Sequence, residues 1–136
     1  MSLAEAISPM IGRWAIAWFF LADAWARANN WAGNVDLLST AHVPVPQGML
    51  FLALAMTALG SLALILGWHV RHGAMLLFAV MVAVTLVLHD FWHLHDAILR
   101  ADEYQIFARN VAIGGGLLLL VGMGGGPLAF DNRAGR

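Results

Sequence analysis

The chain has 136 residues and contains neither cysteine nor lysine. Without cysteine there is no disulfide, no thiolate metal site, no iron–sulfur ligation and no cysteine nucleophile. Any redox chemistry must therefore use other ligands, a bound cofactor or a partner. Charge of either sign is scarce. Seven arginines and eight acids leave a formal net charge of −1, and charged residues make up 11% of the chain, against about 25% in soluble domains. That balance excludes a nucleic-acid binder working through bulk positive charge. No lysine follows the glycine clusters and no strand-like run precedes them, which argues against a phosphate-cradling P-loop. Ser8, Ser39 and Ser61 lack the context of a nucleophile elbow, so a serine hydrolase fits poorly.

What is abundant is apolar surface. Hydrophobic residues are 61% of the sequence, and its mean hydropathy is +0.77. A globule of 14.7 kDa leaves too much of its area exposed to hide that much apolar surface from water. Lipid is the fitting solvent. A spanning helix needs about 20 mostly apolar residues. Residues 9–28, 47–67, 73–93 and 105–126 meet or approach that length. The first carries Arg13, Asp23 and Arg27 and is the least apolar. A secretory signal is its rival reading, but a positively charged start is missing and Arg13 and Asp23 bracket the apolar run. The expectation is an all-α protein: one membrane domain over residues 1–136, built as an antiparallel four-helix bundle with short connections. The longest connection, 29–46, holds Asn-Asn, Gly-Asn and Val-Pro-Val-Pro, whose prolines end any helix and lead into the next span from an extended segment.

Four spans place both termini on one side, with Arg13, Arg71, Arg133 and Arg136, against Arg27, Arg100 and Arg109 on the other. The arginine excess of four against three favours cytoplasmic termini. Trp14 and Trp68 fall near one boundary, and Trp25, Trp31, Trp92 and Tyr104 near the other, as an aromatic belt does. Trp18 sits deeper and is expected to pack. Arg13 is expected to snorkel to the headgroups or to meet Asp131. Gly60, Gly67, Gly114-Gly115-Gly116 and Gly122 are expected to let helices approach closely.

The polar cluster His89-Asp90-Phe91-Trp92-His93-Leu94-His95-Asp96 is the informative segment. On a continuing helix, His89, His93 and Asp96 share a face at i, i+4 and i+7. Counting along the spans brings Asp23, His89, His93, Arg109 and Asn110 to one level near the non-cytoplasmic boundary. Ionisable groups inside spans face the bundle interior and mark function by default. Three readings compete for the layer. In the first, Asp23 pairs with Arg27 or Arg109 and the histidines sit at the wet interface. In the second, a quinone or other apolar ring lodges between helices, with its oxygen bound by His89 or Arg109. In the third, His89 and His93 hold a transition metal such as copper or iron, with Asp23 or Asp96 completing the set and haem ligation as a variant.

Motifs along the chain point to a family. Gly12-Arg13 and Phe20-Leu21 lie in the first span, and Val43-Pro44-Val45-Pro46 precedes the second. That span ends in Gly60-Ser61-Leu62-Ala63-Leu64-Ile65-Leu66-Gly67. Phe107-Ala108-Arg109-Asn110 followed by Gly114-Gly115-Gly116 opens the fourth, and Gly124-Gly125-Gly126-Pro127 closes it. Taken together, the order and spacing resemble the DoxX family of small four-helix membrane proteins. The resemblance implies a redox setting: founding members are subunits of a thiosulfate:quinone oxidoreductase. Other relatives are linked to thiol or oxidative stress or to copper-responsive gene clusters. It also implies that His89 and the Arg109-Asn110 pair match the family's histidine and basic-Asn pair. Asp23, where relatives have a small residue, and the His93-Leu94-His95-Asp96 extension depart from the pattern.

The expected function is a quinone-facing membrane subunit of a redox system, working beside a larger redox complex or as a homo-oligomer in the bacterial inner membrane. A non-catalytic anchor and a His/Asp metal site are the alternatives. A transporter is disfavoured, because no pair of broken half-helices is present.

Overall fold

The computed structural model describes residues 2–88 and 95–133. The order is α1 (Leu3–Asn29), α2 (Trp31–Thr40), α3 (Pro46–Leu66), α4 (Val70–Leu88), α5 (Ala97–Met123) and a single turn, α6 (Phe130–Arg133). No strand occurs among the described residues. Three helices, α3, α4 and α5, are long and apolar enough to cross a membrane.

Helix α1 begins six residues before the expected start of 9, because Ser2 and Glu5 form a capping box. The Glu5 N–H donates to Ser2 Oγ at 3.2 Å, and the Ser2 N–H donates to Glu5 Oε2 at 2.8 Å. The connection between the first two expected spans contains a helix, α2, ahead of its prolines. Asn30 ends α1, and the Asn34 amide then donates to the carbonyls of Asn30 (2.8 Å) and Arg27 (3.2 Å). These bonds turn the chain into a new helix. Helix α5 starts at Ala97 rather than 105, because Asp96 Oδ1 accepts from the N–H groups of Ile98 (2.9 Å) and Leu99 (3.1 Å). Hydropathy locates the apolar stretch of a helix, whereas the cap sets where it begins. The expected third helix extends to 93, and its part beyond Leu88 lies outside the described residues.

Helices α3 and α4 are held in close approach by glycine. A Cβ on Gly60 would lie 2.9 Å from the Gly73 carbonyl oxygen and 2.7 Å from Leu77 Cγ. A Cβ on Gly73 would lie 2.6 Å from Ala63 Cβ. Gly67 closes α3 in the left-handed conformation (φ 72°), so the chain turns straight into α4. Helix α4 also packs on α5, where Gly114 faces Met81, and α3 packs on α1. The core comprises Ala17 and Phe20 of α1, Leu64 of α3, Val70, Ala74, Leu77 and Met81 of α4, Leu117 of α5, and Ala129.

Two expectations about α1 are corrected. Trp18 does not pack: it is 72% exposed, because the inward face of α1 is taken by Arg13, Ala17 and Phe20. Arg13 does not snorkel, since only 1% of its surface is exposed. Its guanidinium lies against Gly67 and Gly125, with the Ala129–Phe130 backbone also packed on Gly67. The chain after α5 folds over that end: the Asp131 N–H donates to the Gly67 carbonyl at 2.9 Å.

Candidate functional site

At the opposite end Asp23, Arg27, Asn34, Thr57, Arg109 and Asn110 line a cavity of about 430 Å³. Helix α1 contributes Phe19, Phe20, Asp23 and Arg27, and α3 contributes Leu50, Ala53 and Thr57. From α4 come Met81, Val84 and Val87, and from α5 Arg109 and Asn110. Asn34 and Leu38 of α2 reach it as well. Helix α2, missed in the sequence because its short apolar pattern is weak, thus forms part of the wall. Most of the wall is aliphatic or aromatic, and its charged groups are Asp23 and Arg27 of α1 and Arg109 of α5.

Asp23 takes the local partner among those considered. Arg27 Nε donates to Asp23 Oδ2 at 2.7 Å, one turn along the same helix. The Asp23 side chain is 45% exposed, which makes the pair only weakly stabilising. Arg109 instead lies over the Phe19 ring, with Cζ 5.3 Å from the ring centre. That cation–π contact ties α5 to α1. Asn110 Nδ2 donates to Thr85 Oγ1 at 2.9 Å, tying α5 to α4. Thr57, which also lines the cavity, turns its hydroxyl back to the Ala53 carbonyl at 2.7 Å.

Asp23, Arg109 and Asn110 therefore line one chamber. His89 and His93 lie outside the described residues. Asp96 is engaged elsewhere, as the cap of α5. Among the described residues, no group of three or more His, Asp or Glu side chains is placed to hold a metal ion. The chamber's chemistry is that of an amphipathic ligand: apolar walls for a ring or chain, with amide and guanidinium donors at one end. Its volume falls within the roughly 300–1,000 Å³ of small-molecule sites.

Long apolar helices joined through small residues, enclosing a chamber with few polar groups, define a helical membrane protein. The chain belongs to the DoxX family, whose model matches residues 8–90. The match covers α1 to α4, while Arg109 and Asn110 lie beyond it. No curated protein and no solved structure matches the chain.

Proposed function

We propose that this DoxX protein is a quinone-facing subunit of a membrane redox system, with the chamber between α1, α3, α4 and α5 as the seat of the ring. In this reading α1 is a fourth span, and the four long helices form an antiparallel bundle in the bacterial inner membrane with cytoplasmic termini. The observation that carries the proposal is the division of the chamber: aliphatic and aromatic walls, with Arg109 and Asn110 at one end. A quinone has the same division, an apolar ring and tail with two carbonyl oxygens that accept hydrogen bonds. A bound quinone supplies two-electron, two-proton acceptance. The chain's own residues would orient it: the Arg109 guanidinium over Phe19 and the Asn110 amide beside Thr85 would donate to its carbonyl oxygens. His89, which lies outside the described residues, is the proposed proton-exchanging group. With Asp23 bound to Arg27, its charge acts on the ring only weakly.

The test is the quinone content of protein purified from membranes, measured by solvent extraction and chromatography. Near-stoichiometric quinone is expected in the wild type. A loss of about tenfold is expected in Arg109→Leu or Asn110→Leu, the size of a hydrogen bond to a charged or buried partner. Quinone-free wild type, or equal content in the variants, overturns the proposal.

The anchor reading has one observation in its favour. On the outward side of α5, Cβ atoms added to Gly115 and Gly122 would meet nothing within 4 Å. These small residues leave room for a helix of another subunit. Co-purification of a stoichiometric larger partner, with its activity intact in Arg109→Leu, would favour an anchor over a quinone site. Copper or iron at His89, His93, Asp23 and Asp96 has no such support, since Asp23 and Asp96 are already engaged.

A further inference from the structure

At the other end of the molecule is a second cavity, of about 460 Å³, which the quinone reading does not use. It lies where α3 turns into α4 and where α5 ends, the level at which spanning helices meet headgroups. Arg71, His69 and His72 rim it on one side, and Gly124, Gly125 and Gly126 on the other. The Arg71 guanidinium lies across Gly124, with Nε 3.6 Å from where a Cβ would sit. The two imidazoles lie side by side, their ring centres 5.6 Å apart.

Behind Gly125 lies Arg13. Its Nη1 is 3.2 Å from the position of a Gly125 Cβ, so the guanidinium lies directly behind a residue of the cavity wall, beside Ala129 and Val70. Arg13 is 1% exposed, and its Nε and Nη1 have no hydrogen-bond partner. No ion pair within 4.0 Å is formed with it among the described residues. Asp131 acts on it through space only. Both Asp131 oxygens are committed to backbone: Oδ1 accepts from the His69 N–H at 2.7 Å and Oδ2 from the Val70 N–H at 2.9 Å. A buried guanidinium in a membrane protein requires a counter-charge. With Arg13 and Arg71 against Asp131, the cavity keeps an excess of positive charge before either histidine is protonated.

We propose that this cavity binds a phosphate-class anion. Arg71 and His72 contact its oxygens, and Arg13 attracts it from behind the Gly125 backbone. This is not the strand–loop–helix cradle of nucleotide-binding proteins. It is a basic pocket at a membrane surface, of the kind that takes lipid headgroups. A headgroup phosphate and free phosphate share the chemistry, and the experiment separates them.

Full-length protein in dodecyl maltoside is titrated with inorganic phosphate and, separately, with short-chain phosphatidic acid. Binding is followed by native mass spectrometry and by thermal shift. Saturable binding of phosphatidic acid alone assigns a lipid headgroup, whereas binding of both probes assigns the phosphate itself. Arg71→Ala is expected to weaken binding about fivefold, and Arg71→Ala/His72→Ala further. Arg100→Ala, outside this cavity, is expected to bind as wild type. Arg13→Gln is expected to weaken binding without touching the ligand. Because Arg13→Gln also alters a buried position, the exposed Arg71→Ala decides. No saturable binding of either probe, or wild-type affinity in Arg71→Ala/His72→Ala, overturns the proposal.

Discussion

Gly60 and Gly115 both sit in apolar helix, yet their surroundings are opposite. A methyl group on Gly60 would press on the Gly73 carbonyl at 2.9 Å, a backbone atom that cannot swing aside. A methyl group on Gly115 would meet nothing within 4 Å. Gly60→Ala is therefore expected to lower stability by about 1–3 kcal/mol, as overpacking does. Gly115→Ala is expected to cost nothing, because alanine is the better helix former. Thermal unfolding in detergent followed by circular dichroism checks both. A Gly60→Ala protein that melts with the wild type would show that the α3–α4 contact is loose. The same contrast marks what is legible at this scale. Composition announces that small residues matter. Which glycine is pinched depends on the helix rotation that core side chains such as Leu64 and Leu77 select. For the same reason the outward position of Trp18 on α1 is not legible from its depth in the apolar run.

At the scale of the element, helix ends are decided by side chains at two very different distances. Asp96 caps α5 two and three residues away, a pattern that can be found by scanning for Asp before a helical run. Asp131 caps α4 from 61 and 62 residues away, and no local pattern announces it. Its two bonds fasten the segment after α5 to the α3–α4 turn, which in turn seals Arg13. Asp131→Ala is expected to cost about 1–2 kcal/mol, the worth of a cap, and to expose the segment from Gly124 onward to protease. Asp96→Ala is expected to fray only the first turn of α5. Limited proteolysis with mass mapping separates the two; equal protection of the C-terminal segment in Asp131→Ala would show that packing alone holds it. Counting along the apolar runs puts Asp23, His89, His93, Arg109 and Asn110 at one level; Asp23, Arg109 and Asn110 line the chamber, and the two histidines lie outside the described residues. What the chamber holds is not contained in that count, nor is the α2 wall.

For the whole molecule the open physical question is whether α1 crosses the membrane with α3, α4 and α5. It carries Glu5, Arg13, Asp23 and Arg27, and single charges in a spanning helix are expensive. Three of them are dealt with by the fold. Arg13 faces inward, beneath Gly67 and Gly125, and Asp23 and Arg27 neutralise one another a turn apart near the helix end. Glu5 lies in the first turn and is bound by the Ser2 N–H. The stretch from Ile11 to Trp18 presents Ile11, Trp14 and Trp18 outward, all apolar enough for lipid contact. A chain that lacks cysteine makes this directly measurable, because a single introduced cysteine reports its own side of the membrane. Ala4→Cys before the apolar part of α1, Ala41→Cys after α2, and Asn132→Cys after α5 are each treated in intact spheroplasts with a membrane-impermeant maleimide. With four spans and cytoplasmic termini, Ala41→Cys labels at once, and the other two label only after permeabilisation. If α1 lies along the surface, Ala4→Cys and Ala41→Cys label together. If all three patterns invert, the four-against-three arginine balance has been outweighed and the termini face outward.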